Sequence, residues 1–138
     1  MSLDEIESER AARKEALAKQ RNEQRAVDVA RLNELEIEHG DESVTAVKIG
    51  RYLPGIATLA VVRCLKSSEL KRYRDRVKGE NADNARAAEE AGMSALLYPE
   101  KGSDLWKATL DAIPGIPARL GTAAVFLAAG VEQAEGKV

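Results

Sequence analysis

Two side chains could take part directly in nucleophilic or acid–base chemistry, because the sequence has one histidine, His39, and one cysteine, Cys64. A cysteine beside a histidine can form a reactive thiolate, so this pair is the first candidate for catalysis. The surrounding sequence does not favour it, since no nucleophile motif surrounds any serine and Cys64 lies among apolar residues of a predicted strand. We interpret His39 as a surface imidazole at a helix end and Cys64 as a small buried apolar residue.

Metal and phosphate chemistry also lack the residue patterns that they need. One histidine and one cysteine cannot form a zinc site without several carboxylates, and no Asp or Glu spacing matches a calcium-binding loop. The glycines are scattered and form no phosphate-binding loop. We therefore expect no catalytic residue, no metal and no cofactor, and we predict that the protein is not an enzyme.

The clearest charge cluster is basic and falls on a predicted helix over residues 66–78. It includes Lys71, Arg72, Arg74 and Arg76. Such a face could contact nucleic-acid phosphates, an acidic protein or the acidic start of this same chain. Because the net charge is −2 and aromatic residues make up only 4% of the chain, nucleic-acid binding is our second alternative and not our main prediction.

The elements that would position these residues begin with one long helix. Residues 2–38 contain no glycine and no proline and are rich in strong helix formers. Ser2, with Glu5 three residues later, matches a capping box, and Gly40 is placed to end the helix. The apolar positions are sparse in the middle and no strict heptad persists, which predicts an exposed first half and a docked second half. The alternative is a partner-binding or self-associating helix.

The pattern changes after Gly40. Two β-branched, apolar runs, 43–49 and 56–65, are joined by a Pro-Gly turn and predict an antiparallel hairpin. Helical spacing then returns in four segments that end at Gly79, Pro99, Pro114 and Gly130. The expected N-caps are Ser67 or Ser68, then Asn81 or Asp83, then Ser103, with Pro117 in the first turn of the last helix.

The predicted fold is therefore mostly α (α+β): a long N-terminal helix, a small antiparallel β-hairpin and a bundle of about four short helices. We expect three parts, a charged helix over 1–40, a compact domain over 41–131 and a flexible tail over 132–138. A chain of 138 residues suits a single core, and so few aromatic residues imply a core of Leu, Ile, Val and Ala.

Composition also predicts the compartment. A single cysteine excludes an internal disulfide, and acidic residues near the N-terminus do not fit a signal peptide. The longest apolar run, 121–131, is about half of what a membrane span needs. We expect a protein of the cytoplasm, the host cytoplasm if a phage encodes it, with no membrane partner.

Three segments of the second half carry a resemblance to a known family. The first, 65–74, reads Leu-Lys-Ser-Ser-Glu-Leu-Lys-Arg-Tyr-Arg; the second, 96–99, reads Leu-Leu-Tyr-Pro. The third, 113–121, reads Ile-Pro-Gly-Ile-Pro-Ala-Arg-Leu-Gly and leads into an Ala-rich helix that closes on Ala129 and Gly130. Together these segments resemble the tail-assembly chaperones of long-tailed double-stranded DNA bacteriophages. The long charged helix at the N-terminus departs from the compact members of that family.

The resemblance implies a protein without enzymatic activity that binds and protects the long, hydrophobic tape-measure protein during virion assembly. Apolar surfaces of the last two helices would then contact this protein partner, and the candidate residues are Leu105, Trp106, Leu110, Leu120, Val125 and Phe126. Trp106, the only tryptophan, could equally belong to the core. The departure at the N-terminus leaves a first alternative, a scaffold or tail component that forms homo-oligomers through the long helix.

Overall fold

The computed structural model describes residues 1–79 and 83–130, so the predicted tail, 132–138, and the candidate cap Asn81 lie outside the described residues. The elements are, in chain order, α1 (Leu3–His39), β1 (Val44–Lys48), β2 (Leu59–Arg63), α2 (Ser67–Lys78), α3 (Asn84–Ala95), β3 (Leu96–Tyr98), α4 (Asp104–Ala112) and α5 (Ile116–Ala129). The predicted class, mostly α with a small antiparallel sheet after a long first helix, is confirmed.

The sheet has three strands where the sequence predicts two, in the order β1-β2-β3, and both pairings are antiparallel. Residues 96–98 were expected to continue the third predicted helix as far as Pro99, and this prediction is wrong. Helix α3 ends at Ala95, and β3 pairs with the free edge of β2, with Val61 opposite Tyr98. The connection between β1 and β2, residues 49–58, is also longer than the short Pro-Gly turn that the sequence predicts.

The two faces of the sheet are covered by different helices. Alternate residues of a strand point to opposite faces, so Leu59 and Val61 join Leu35 of α1 in one apolar cluster. Ala60 and Val62 face the other way and join a larger cluster with residues of α3, α4 and α5. The sheet therefore lies between the second half of α1 and the C-terminal helices.

Small residues bring α3 and α5 into close contact. A Cβ atom added to Gly121 would lie 1.8 Å from the carbonyl oxygen of Ala88, and one added to Gly92 would lie 2.2 Å from that of Pro117. Backbones this close leave no room for a side chain, and burial of the neighbouring alanines makes the pair the centre of the larger cluster. The prediction of a core built from small aliphatic residues is consistent with this packing.

Most of the predicted helix ends are confirmed. Ser2, Asp83 and Ser103 each accept a hydrogen bond from a backbone N–H three residues later, as N-caps do. The expected cap at Ser67 or Ser68 is wrong, because the N-cap of α2 is Lys66 and its N–H is bonded by the side chain of Glu69 at 2.8 Å. Gly130 ends α5 in the left-handed conformation.

Helix α1 has two parts with different surroundings. Residues 1–23 are all exposed, whereas Asp28 and Leu35 are buried against the sheet. At a rise of about 1.5 Å per residue the 37-residue helix is roughly 55 Å long, so the exposed part extends well beyond its docked part. This agrees with the expectation of an exposed first half and a docked second half.

Candidate protein-binding surfaces

The six residues that the sequence predicts as partner contacts lie on α4 and α5, but they do not form one exposed surface. Trp106 is only 3% exposed and Leu120 is fully buried, and both belong to the larger core cluster. In the folded chain these two side chains stabilise the domain and offer no contact area. For Trp106 the alternative of a core residue therefore describes its position.

The other four candidates are half-buried at the rim of the same core. Leu105 and Leu110 on α4 and Val125 on α5 pack against the larger cluster, and Phe126 is also half-buried. Side chains of this kind keep part of their apolar area in contact with water. They are the portion of the predicted contact set that remains accessible to a protein partner.

The basic face of α2, Lys71, Arg72, Arg74 and Arg76, is exposed as predicted. Helix α2 buries none of its residues, and it contacts the domain mainly through the half-buried Leu70 and Tyr73. Arg76 pairs with Glu90 of α3 at 2.7 Å, which neutralises part of the basic face. The remaining charge is solvated, and this arrangement gives no groove shaped for a nucleic acid.

A buried polar cluster around Asp28 was missed by sequence reasoning. The Asp28 carboxyl group is fully buried and accepts hydrogen bonds from the Thr58 N–H at 2.7 Å and the Thr58 hydroxyl at 2.6 Å. The Gln24 side-chain amide donates to it at 2.8 Å, and the Tyr98 hydroxyl donates to it as well. These four bonds attach α1 to the residue that precedes β2 and to the last residue of β3.

The environment of Tyr98 favours its protonated form. Burial, and then the hydrogen bond to Asp28, raise the pKa of the Tyr98 hydroxyl well above its ordinary value. A tyrosine that holds its proton this firmly acts as a hydrogen-bond donor and does not serve as a general base at neutral pH. The Asp28 cluster is therefore an anchor for α1. A sequence signal existed, because Asp28 occupies the stripe that continues through Leu32 and Leu35.

A second cluster fixes the start of α2. The guanidinium group of Arg63 binds both carboxylate oxygens of Glu69, at 2.8 and 2.9 Å, and also donates to the Ser94 carbonyl oxygen at 2.8 Å. This bidentate pair and the Lys66 N–H lower the pKa of Glu69 to about 2. The pair connects the end of β2 to α2 and α3, and it is a structural clamp.

The exposed part of α1 meets the β1–β2 loop at one place. An apolar notch there is lined by Leu17, Ala16 and Pro54, with Gln20 beside them and the basic residues Arg13 and Lys14 at its rim. Leu17 is 37% exposed and the neighbouring Leu53 is 38% exposed. Nothing among the described residues fills this notch, so it is open to a partner.

The two reactive residues of the sequence lie in ordinary surroundings. His39 is exposed at the end of α1, and the half-buried Cys64 contacts its neighbour's carbonyl oxygen, with Sγ 3.5 Å from the oxygen of Leu65. Within residues 1–79 and 83–130, no group of three or more His, Cys, Asp or Glu side chains is arranged to hold a metal ion. The geometry therefore gives no support to a catalytic pair.

Comparison with known proteins adds no relative. No family model matches the chain, and neither a curated protein nor a solved structure is significantly similar to it. In the part of the chain that the structure describes, no single helix could cross a membrane by its length and apolar character. Helices α4 and α5 reach that length and composition only together, as a pair bent by 104°.

Proposed function

We propose that this protein binds another protein without catalysing a reaction, and that it acts as a tail-assembly chaperone of a long-tailed DNA phage. One observation carries the proposal: the three segments that resemble that family are far apart in sequence, yet all contribute to one apolar cluster. Leu65 and Leu70 come from the first segment, Leu96 from the second, and Ile116 and Leu120 from the third. The likeness therefore follows the packing of a single core.

The client of such a chaperone is the long, hydrophobic tape-measure protein. Its helices need apolar contacts that tolerate varied sequences, and binding of this kind usually places an amphipathic helix against an apolar groove. The half-buried rim residues Leu105, Leu110, Val125 and Phe126 provide apolar area next to a rigid core. We assign the client contact to this rim, and we leave Trp106 and Leu120 to the core.

Co-expression tests the proposal. The tape-measure protein encoded beside this gene is produced alone, with this protein, and with an unrelated helical protein of similar size. A chaperone should move most of the tape-measure protein into the soluble fraction and co-purify with it, because it covers apolar surface that otherwise aggregates. A tape-measure protein that stays equally insoluble in all three cases contradicts the assignment.

A second candidate function is a scaffold or tail component that stays in the virion and associates through α1. The observation that favours it is the exposure of residues 1–23 along a helix that extends beyond the domain. Mass spectrometry of purified particles separates the two candidates. A structural component is present in stoichiometric amounts, whereas a chaperone is present during assembly and absent from the mature particle.

A further inference from the structure

The exposed part of α1 carries an apolar stripe that has no cover. At 100° per residue, Leu3, Ile6 and Leu17 lie on the same side of the helix as Asp28 and Leu35, which pack on the sheet. Leu3 is 69% exposed and Ile6 is 47% exposed. The core-facing stripe therefore continues towards the N-terminus past the last part of the domain that lies beneath it, at Pro54.

Charges along this part of the helix are separated by sign. Residues 4–9 carry four acidic side chains and no basic one: Asp4, Glu5, Glu7 and Glu9. Residues 10–25 carry two acidic side chains, Glu15 and Glu23, and six basic ones: Arg10, Arg13, Lys14, Lys19, Arg21 and Arg25. Two parallel copies would bring like charges together, whereas antiparallel copies bring the acidic tip of each helix to the basic stretch of the other.

The notch at Leu17 and the tip of α1 are complementary in chemistry. The notch has an apolar floor of Ala16, Leu17 and Pro54 and basic residues at its rim. The tip presents two apolar side chains, Leu3 and Ile6, between acidic ones. The tip of a second copy can therefore bury its apolar residues in the notch while its carboxylates approach the basic rim.

The spacing of the apolar residues fixes a symmetric register. Ile6 and Leu17 are eleven residues apart, which is about three turns of helix, so they share one side. An antiparallel pair that places Ile6 opposite Leu17 of the second copy also places Leu17 opposite Ile6 of that copy, as a two-fold axis requires. The same register sets Asp4 opposite Lys19 and Glu9 opposite Lys14.

We propose that this chain forms an antiparallel homodimer through residues 3–21 of α1, in which each copy seats its acidic, apolar tip in the notch at Leu17 and Pro54 of the other. The dimer does not rest on the chaperone assignment, because a chaperone and a tail component could both be dimeric. A failure of either one leaves the other intact.

Charge reversal tests the dimer and its direction. Variant A carries Asp4→Lys and Glu9→Lys, and variant B carries Lys14→Glu and Lys19→Glu. All four positions are exposed, so both variants should fold. Sedimentation equilibrium of the wild type should give twice the chain mass of 14.9 kDa, and each variant alone should dissociate with a Kd raised about tenfold or more.

A mixture of A and B is the decisive sample. In the antiparallel register, the lysines of A meet the glutamates of B at one end, and the native pairs form at the other, so the mixture should dimerise like the wild type. Lys101→Glu with Lys107→Glu makes the same charge change as B at exposed positions elsewhere and should leave the dimer unchanged. A monomeric wild type, or a mixture that stays as dissociated as A and B alone, overturns the proposal.

Discussion

Asp28 joins α1 to the sheet through four hydrogen bonds, and Tyr98 supplies the one that comes from farthest along the chain. A hydrogen bond to a charged and buried group contributes about 1.5–3 kcal/mol. We expect Tyr98→Phe to lower the free energy of unfolding by about 2 kcal/mol, measured by urea denaturation at pH 7. Tyr73→Phe, at a half-buried tyrosine outside this cluster, is the matched control.

That control should change the free energy of unfolding by less than about 0.5 kcal/mol. Asp28→Ala should cost more than Tyr98→Phe, about 3 kcal/mol or above, because it leaves the buried donors of Thr58 and Tyr98 without an acceptor. Equal stability of wild type, Tyr98→Phe and Asp28→Ala is the outcome that contradicts an anchoring role for this cluster.

Glu69 gives the protein a dependence on acid. Its folded pKa of about 2 lies below the ordinary 4.5, mainly because Arg63 binds its carboxylate. A lowered folded pKa means that the pair stabilises the fold above pH 4.5 and that this contribution is lost as the pH falls from 4.5 to about 2. We expect a loss of about 2 kcal/mol over that range from this group.

Unfolding curves at several pH values between 2 and 7 measure this effect. Glu69→Gln should be less stable at pH 7 and should show a flatter dependence below pH 4.5, whereas Glu89→Gln, at an exposed position on α3, should follow the wild type. Parallel pH curves for wild type and Glu69→Gln are incompatible with the clamp.

Residues that act locally could be predicted, and residues that act over long range could not. Ser2, Asp83 and Ser103 were predicted as caps because the cap and its partner lie three positions apart. Asp28 is bonded to Thr58 and Tyr98, which are 30 and 70 residues away. No local pattern states that such partners meet, so an aspartate on a charged helix gave no prediction.

The pairing of α3 with α5 depends on the absence of side chains at two glycines. Gly121→Ala would place its Cβ 1.8 Å from the Ala88 carbonyl oxygen, and neither backbone can move without disturbing the core. We expect Gly121→Ala and Gly92→Ala each to lower the free energy of unfolding by about 2–3 kcal/mol, despite the better helix propensity of alanine.

Gly115→Ala is the control for these two variants. Gly115 has an ordinary helical φ of −81°, and an added Cβ there would have no atom within 4 Å. Its thermal midpoint should stay within a few degrees of the wild type. If Gly121→Ala proves as stable as Gly115→Ala, the close helix contact is not a feature of the folded protein.

Strand β3 shows why one element was assigned to the wrong class. Leu96 and Leu97 continue the apolar spacing of α3, so a short apolar run before Pro99 fits a helix end and a strand equally well. Pairing with β2 decides between them, since β3 gives the second edge of β2 its hydrogen bonds and buries Leu96 and Tyr98. That choice depends on β2, which lies more than thirty residues earlier.

The whole chain divides into a domain that needs the second half of α1 and a projecting part that it does not need. Removing residues 1–20 leaves Gln24, Asp28 and Leu35 in place, so we expect cooperative thermal unfolding at a midpoint within a few degrees of the wild type. Removing residues 1–38 takes away the buried Asp28 and Leu35, and we expect that fragment to lose its cooperative transition.

Circular dichroism of both truncations, with charge-reversal variant A as the monomeric full-length control, measures the difference. A cooperative transition after removal of 1–38 contradicts the role of α1 as part of the core. The result also defines the part of α1 that can be altered without affecting the fold, which is the condition for testing its surface.

At this scale the sequence predicts the class and the outline of the fold, but only part of the candidate site. The rim residues Leu110 and Phe126 remain candidate contacts, whereas Trp106 and Leu120 are core residues. Apolar type alone cannot separate core from contact surface, because both use the same side chains and the difference lies in which neighbours cover them.

The most direct test of the central proposal is the amount of tape-measure protein that each mole of this chain retains in a co-purification. The variants are Leu110→Ala with Phe126→Ala at the rim, and Thr122→Ala at an exposed position of the same helix. We predict that wild type and Thr122→Ala retain equal amounts and that the rim variant, with an unchanged circular dichroism spectrum, retains several-fold less. Retention of no tape-measure protein by the wild type, or equal retention by all three proteins, contradicts the account.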